Sequence, residues 1–183
     1  MKRISRPEDL EEIRAITRGL IGEPCWQAIL TYPSQLQVHW GQRIEFESER
    51  LRDERKGTWV FGAESSSWTL QCRDKSIVSS DDEDAVIKEK VKILEGARTE
   101  EFAVAYPEMT VTIRFSNGCT LLLVPDPPSE TDEPDDVTIA DWELFYPDGM
   151  WLSVGPGPTW RHQRADEPFP GEGAPDPQAG DVS

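Results

Sequence analysis

The chain has 183 residues, 35 Asp and Glu against 19 Lys and Arg, and a formal net charge of −16 at pH 7. A field of that sign repels nucleic acid and anionic membrane, and the length suits one domain or two small halves sharing a core. No run approaches the ~20 apolar residues of a membrane span, and two histidines and three separated cysteines, Cys25, Cys72 and Cys119, give neither a metal cluster nor a C-x-x-C spacing.

Along the chain, Ser5 with Glu8 opens a helix as a Ser-x-x-Glu capping box. Leu10, Ile13, Ile16 and Leu20 follow at helical spacing, and Gly22 marks the end. A strand ending at Tyr32-Pro33 is expected next. Leu36, Val38 and Trp40 then alternate with Gln37 and His39, as in a half-buried antiparallel strand, and Trp40-Gly41 reads as a turn into a return strand, Arg43 to Glu47. A polar excursion over 48–57 leads to strands at Thr58 to Phe61 and Trp68 to Cys72.

The same plan then recurs about 74 residues on. Ser80 with Glu83 is a second capping box, Ile87, Val91 and Leu94 form the apolar face, Gly96 ends the helix, and Tyr106-Pro107 closes the next strand. Val111, Ile113 and Phe115 alternate, Asn117-Gly118 is a hairpin signal, and Thr120 to Val124 returns. A longer excursion over 125–140 precedes Asp141 to Tyr146, the turn Pro147-Asp148-Gly149, and Met150 to Val154. Trp59 and Trp68 thereby correspond to Trp142 and Trp151, at core or inter-sheet positions.

Residues 1–77 hold 12 basic and 12 acidic side chains, while 78–183 hold 7 and 23, so the whole net charge lies in the later part. Pro125 to Asp148 carries nine carboxylates and no Lys or Arg. Within it Glu130, Asp132, Glu133, Asp135 and Asp136 are the candidate partner-binding residues, able to steer a basic protein partner. Asp141 and Glu143 share one face of a strand, but no carboxylate pair is placed in a cleft by sequence alone. His39 reads as a strand residue and Gly155-Pro156-Gly157-Pro158 as a terminating turn, since its prolines remove the N–H groups a phosphate would need. No catalytic residue, metal or cofactor is expected, and the cysteines are expected as reduced, mostly buried thiols.

The run Phe115-Ser116-Asn117-Gly118, then Trp142-Glu143-Leu144-Phe145, Pro147-Asp148-Gly149 and Leu152-Ser153-Val154-Gly155-Pro156-Gly157 resembles small acidic actinobacterial proteins of unknown function, some similar to immunity proteins of polymorphic-toxin systems. The resemblance covers mainly 109–160, with a weaker echo in 36–70, and implies no catalytic residue.

The resulting expectation is an α+β protein of two quasi-repeated units, each one helix plus an antiparallel meander of about five strands with the helix packed on the sheet. The folded region spans 5–160, in halves of about 5–77 and 78–160. An acidic Pro/Gly-rich tail over 161–183 is expected to be disordered. The N-terminus MKRISRPEDLEE lacks a secretory apolar stretch, which points to a cytoplasmic location. The expected function is non-enzymatic protein binding, as an immunity or inhibitor protein covering the basic site of a toxin. The alternative is a small-ligand-binding or hydrolytic fold with a pocket between helix and curved sheet.

Overall fold

The computed structural model describes residues 1–31, 35–45, 55–126 and 140–166. Its strands are β1 (Lys2–Arg3), β2 (Cys25–Thr31), β3 (Gln35–Glu45), β4 (Arg55–Ala63), β5 (Ser66–Cys72), β6 (Lys75–Ser79), β7 (Thr99–Ala105), β8 (Thr110–Phe115), β9 (Cys119–Pro125), β10 (Trp142–Tyr146), β11 (Met150–Val154) and β12 (Thr159–Arg164). The helices are α1 (Glu11–Thr17) and α2 (Asp84–Lys90), continued by 3-10 turns at Arg18–Leu20 and Val91–Leu94. The protein is α+β, with two antiparallel sheets. One has seven strands in the order β1-β12-β11-β10-β4-β3-β2, the other five in the order β6-β5-β9-β8-β7. Among the described residues no helix is long and apolar enough to cross a membrane.

The chain changes sheet twice. After β4 the hairpin β5–β6 pairs with β9 in the five-stranded sheet, and after β9 the strands β10–β12 return to pair with β4. The inner faces meet through aromatic rings. Trp40 of β3 stacks on Phe115 of β8 with centroids 6.4 Å apart, and Phe102 of β7 contacts Phe61 of β4 and Trp142 of β10. Ile13 and Leu20 from the first helical segment and Ile87, Val91 and Leu94 from the second fill the same core. Those are the positions the 3.6-residue period selects.

Just ahead of β2 and β7, Pro24 bridges Arg98. The Gly22 N–H donates to the Thr99 carbonyl at 2.8 Å, and 74 residues on the Gly96 N–H donates to the Cys25 carbonyl. The Cys25 N–H donates to Ala97 and the Thr99 N–H to Glu23, again in reciprocal positions.

Several expectations change. Trp40-Gly41 is no hairpin turn: β3 runs straight through it, with a register shift between Trp40 and Arg43 where Gly41 takes φ +75°. The extra residue of a bulge needs that backbone conformation, so glycine alone did not distinguish bulge from turn. The return strand is therefore β4, in which Trp59 opposes Trp40. Trp59 lies within β4, Trp68 within β5, and Trp142 opens β10. Trp59, Trp68 and Trp142 belong to the core, whereas Trp151 is buried on the outer face of the seven-stranded sheet.

The capping boxes close through different carboxylates. The helical segments start at Arg6 and Glu83 as N-caps, neither with a side-chain cap bond, while Asp9 accepts from the Ser5 N–H at 2.9 Å and Asp82 from the Ser79 N–H at 2.7 Å. Cys72 and Cys119 form a disulfide instead of remaining thiols, because β5 and β9 are neighbours and these residues fall directly opposite. Only Cys25 is free, and burial pushes its thiol up to about 12.

Candidate functional site

The outer face of the seven-stranded sheet gathers side chains that alternation turns away from the core. One row across the strands reads Gln37, Gly62, Glu143, Ser153, Arg161. The next reads His39, Val60, Phe145, Trp151, Gln163. Phe145 is 39% exposed and stacks on Trp151 with centroids 6.2 Å apart. The Arg161 guanidinium lies 5.0 Å over the Trp151 ring on one flank, and Arg43 lies 4.7 Å over Trp26 on the other. Such cation–π pairs hold guanidinium groups flat against an aromatic surface.

Two carboxyl groups meet within this face. Gly62 stands between Gln37 and Glu143 in register, and a Cβ there would come 2.9 Å from Glu64 Oε1. The missing side chain thus leaves room for the Glu64 carboxyl beside Glu143. Gln35 Nε2 donates to the other Glu64 oxygen. Burial, and then the Glu64 charge, push Glu143 up to about 7, against the pull of the Trp151 indole N–H and Arg161. Glu64 is raised by burial as well, against its bond from Gln35. Partly dehydrated and repelled by the Glu64 charge, the Glu143 carboxyl favours its protonated form up to about neutrality.

His39 closes the face toward β2. It is 4% exposed, its ring meets Trp26 edge-on at 5.5 Å, and its Nδ1 accepts from the Gly57 N–H at 3.2 Å. The neutral ring therefore carries its proton on Nε2, which faces Gln37 Oε1 at 3.3 Å. Burial lowers its pKa to about 4, so it stays uncharged at physiological pH. His39 is thus a strand residue, but it is buried against Trp26 where a strand position facing solvent or the helix is expected.

Asp141, just ahead of β10, is 2% exposed beneath the turn at Gly155, where any Cβ would strike its Oδ2 at 2.2 Å. Burial pushes it up to about 6, against the Gly157 backbone N–H. Gly155-Pro156-Gly157-Pro158 is thus a lid of backbone over one carboxyl, and it joins β11 to β12.

These raised carboxyls set a pH dependence. A raised folded-state pKa stabilises the fold fully below the ordinary carboxylate range, and that contribution is lost as pH rises through about 7 for Glu143 and about 6 for Asp141. His39 acts oppositely: its contribution is present above 6.5 and lost as pH falls through about 4. Going from pH 8 to pH 6, Glu143 outweighs His39, and the protein should gain roughly 1 kcal/mol. Urea midpoints at the two pH values measure it, and Glu143→Gln should abolish the gain.

The five sequence-predicted partner residues, Glu130, Asp132, Glu133, Asp135 and Asp136, lie outside the described residues. Sequence reasoning missed Glu64, Gln35 and the Arg–Trp pairs, since strands far apart in the chain bring them together. A charged residue inside Trp142-Glu143-Leu144-Phe145 was the available local signal. Among the described residues no group of three or more His, Cys, Asp or Glu could hold a metal ion. No known protein family, curated protein or solved structure matches the chain.

Proposed function

We propose that this is a non-enzymatic binding protein of the immunity or inhibitor kind, which covers the basic site of a toxin partner with the outer face of its seven-stranded sheet. The observation that carries this reading is the composition of that face: Trp26, Phe145 and Trp151, with Arg43 and Arg161 laid over indole rings. Aromatic residues and arginine dominate the energetic centres of protein interfaces. A basic side chain set against Glu64 and Glu143 would ionise both, so binding would release a proton near pH 7. The carboxylates of 130–136 would act earlier, through the rate of encounter.

The same proposal takes the chain as two copies of one helix-plus-sheet unit about an approximate two-fold axis, each helix packed on a sheet. The reciprocal hydrogen bonds of Gly22 and Gly96 support it. So do matching register shifts at Cys25/Gln27 and Thr99/Glu101, and the stacking of Trp40 on Phe115. A cytoplasmic site of action belongs to this reading too. The Cys72–Cys119 disulfide stands against that location, since thiols there are ordinarily kept reduced, and alkylation of the two cysteines in freshly lysed cells decides whether they are bridged or free.

The test uses a basic partner captured from the native host. Neutralising Glu130, Asp132, Glu133, Asp135 and Asp136 should slow association several-fold and flatten its salt dependence, while Phe145→Asp should speed dissociation. Unchanged kinetics in both variants would sink the reading.

The Glu64–Glu143 pair favours a second reading, a hydrolytic or small-ligand site with a carboxyl poised near neutrality. It lies on the outer face and not between helix and sheet. Glu143→Gln separates the two readings: it removes a hydrolytic activity outright, whereas in a binding protein it weakens the hold on the partner and abolishes the proton release on binding.

A further inference from the structure

A different surface lies at the free edge of β2. This strand ends the seven-stranded sheet, and among the described residues its backbone bonds away from β3 are confined to Cys25. Beyond that point Ala28, Ile29 and Leu30 form one wall of a groove of about 270 Å³ whose other wall is Lys88 and Lys92. α2 and the turn after it lie against β2 through Ile87, Val91 and Leu94, leaving both lysines exposed above the strand edge.

The groove wall presents lysines although the segment that carries them, 81–95, holds six carboxylates. Lys88, Lys90 and Lys92 are three of the seven Lys and Arg in residues 78–183, facing 23 carboxylates. Lys88 approaches Asp84 only at 3.9 Å, and Lys92 has no ion pair among the described residues. Glu89 and Glu95 stand one turn from Lys92 on either side, where an acid can balance a helical cation, yet among the described residues neither is ion-paired with it.

We propose that this groove takes up an extended acidic peptide as an added strand on β2, with Lys88 and Lys92 pairing to carboxylates two residues apart on that peptide. The spacing fits. Four residues along the helical segment rise about 6 to 7 Å, and alternate residues of a strand repeat at about 6.6 Å on one face. Unpaired edge groups supply the main-chain bonds that any sequence can make, and the lysines supply the selection for acidic side chains.

A second place on the molecule has the same make. Arg14 and Arg18 stand 74 residues before Lys88 and Lys92, and their helical segment lies against β7, which ends the five-stranded sheet. There Arg14 is held by Glu11 at 2.7 Å, so the β2 groove is the more available of the two.

The probe is a fluorescein-labelled peptide of alternating Val and Glu, read by anisotropy with the full chain at low and physiological salt. It should bind, and Lys88→Glu with Lys92→Glu should weaken it at least about tenfold, while Lys88→Arg with Lys92→Arg restores it. Amide exchange should slow at residues 27–31 when the peptide is added. A Val/Lys peptide should not bind, and a peptide with proline at alternate positions should lose most of its affinity because it lacks the donors for strand pairing. Equal binding to the Lys→Glu variant, or equal binding of the proline peptide or inorganic polyphosphate without protection of 27–31, overturns the proposal. Circular dichroism of each variant guards against a folding artefact.

Discussion

Trp142→Ala should destabilise the protein by about 3 to 5 kcal/mol, the range for truncating a large buried aromatic. Trp142 is 0% exposed, and its ring lies 5.9 Å from Phe61 and 5.8 Å from Phe102. It therefore joins strands of both sheets, and its removal opens a cavity that neither backbone can collapse to fill. Its indole N–H is buried without a partner among the described residues. Trp142→Phe should consequently cost much less than the alanine change, since it keeps most of the ring and removes a donor that was dehydrated for nothing in return. Urea denaturation of the three proteins measures both differences. Equal losses for Phe and Ala would mean that the indole N–H is satisfied.

Breaking the Cys72–Cys119 disulfide should have an effect of similar size. The bridge closes a loop with a sequence separation of 47, for which the chain-entropy account gives about 4 kcal/mol. The loss should appear as a lower denaturation midpoint in reductant, and again in Cys72→Ser with Cys119→Ser. Adding reductant to the double serine variant should then change nothing. A wild-type midpoint indifferent to reductant would show that the bridge contributes no stability.

The two helices were legible because Ile13 and Leu20, and Ile87, Val91 and Leu94, repeat at the helical period and fill the core accordingly. The alternating residues of β3 and β8 were equally legible, Trp40 and Phe115 included. What escaped depends on contacts between distant strands. β3 and its return strand could not be placed while Gly41 was read as a turn, and β6 and β12 are polar enough to pass for loop. β1 is only two residues long and exists through its pairing to β12. Glu64 and Glu143 become neighbours because β10 pairs with β4, and Cys72 meets Cys119 because β5 pairs with β9. No local period encodes either event. The candidate site was accordingly the least legible part: every one of its rows is assembled from at least four strands.

The double change of sheet also constrains how the molecule is made. The central seam of the larger sheet joins Ala63 to Trp142. As the chain leaves the ribosome, β4 must wait with one edge bare until β10 has been synthesised, and β5 must wait likewise for β9. Pairings of such long sequence separation are slow to find, and unpaired edges held open meanwhile are where chains aggregate. Until β10 is made, the bare edge of β4 is therefore the place where the nascent polypeptide is most exposed to wrong strand pairing.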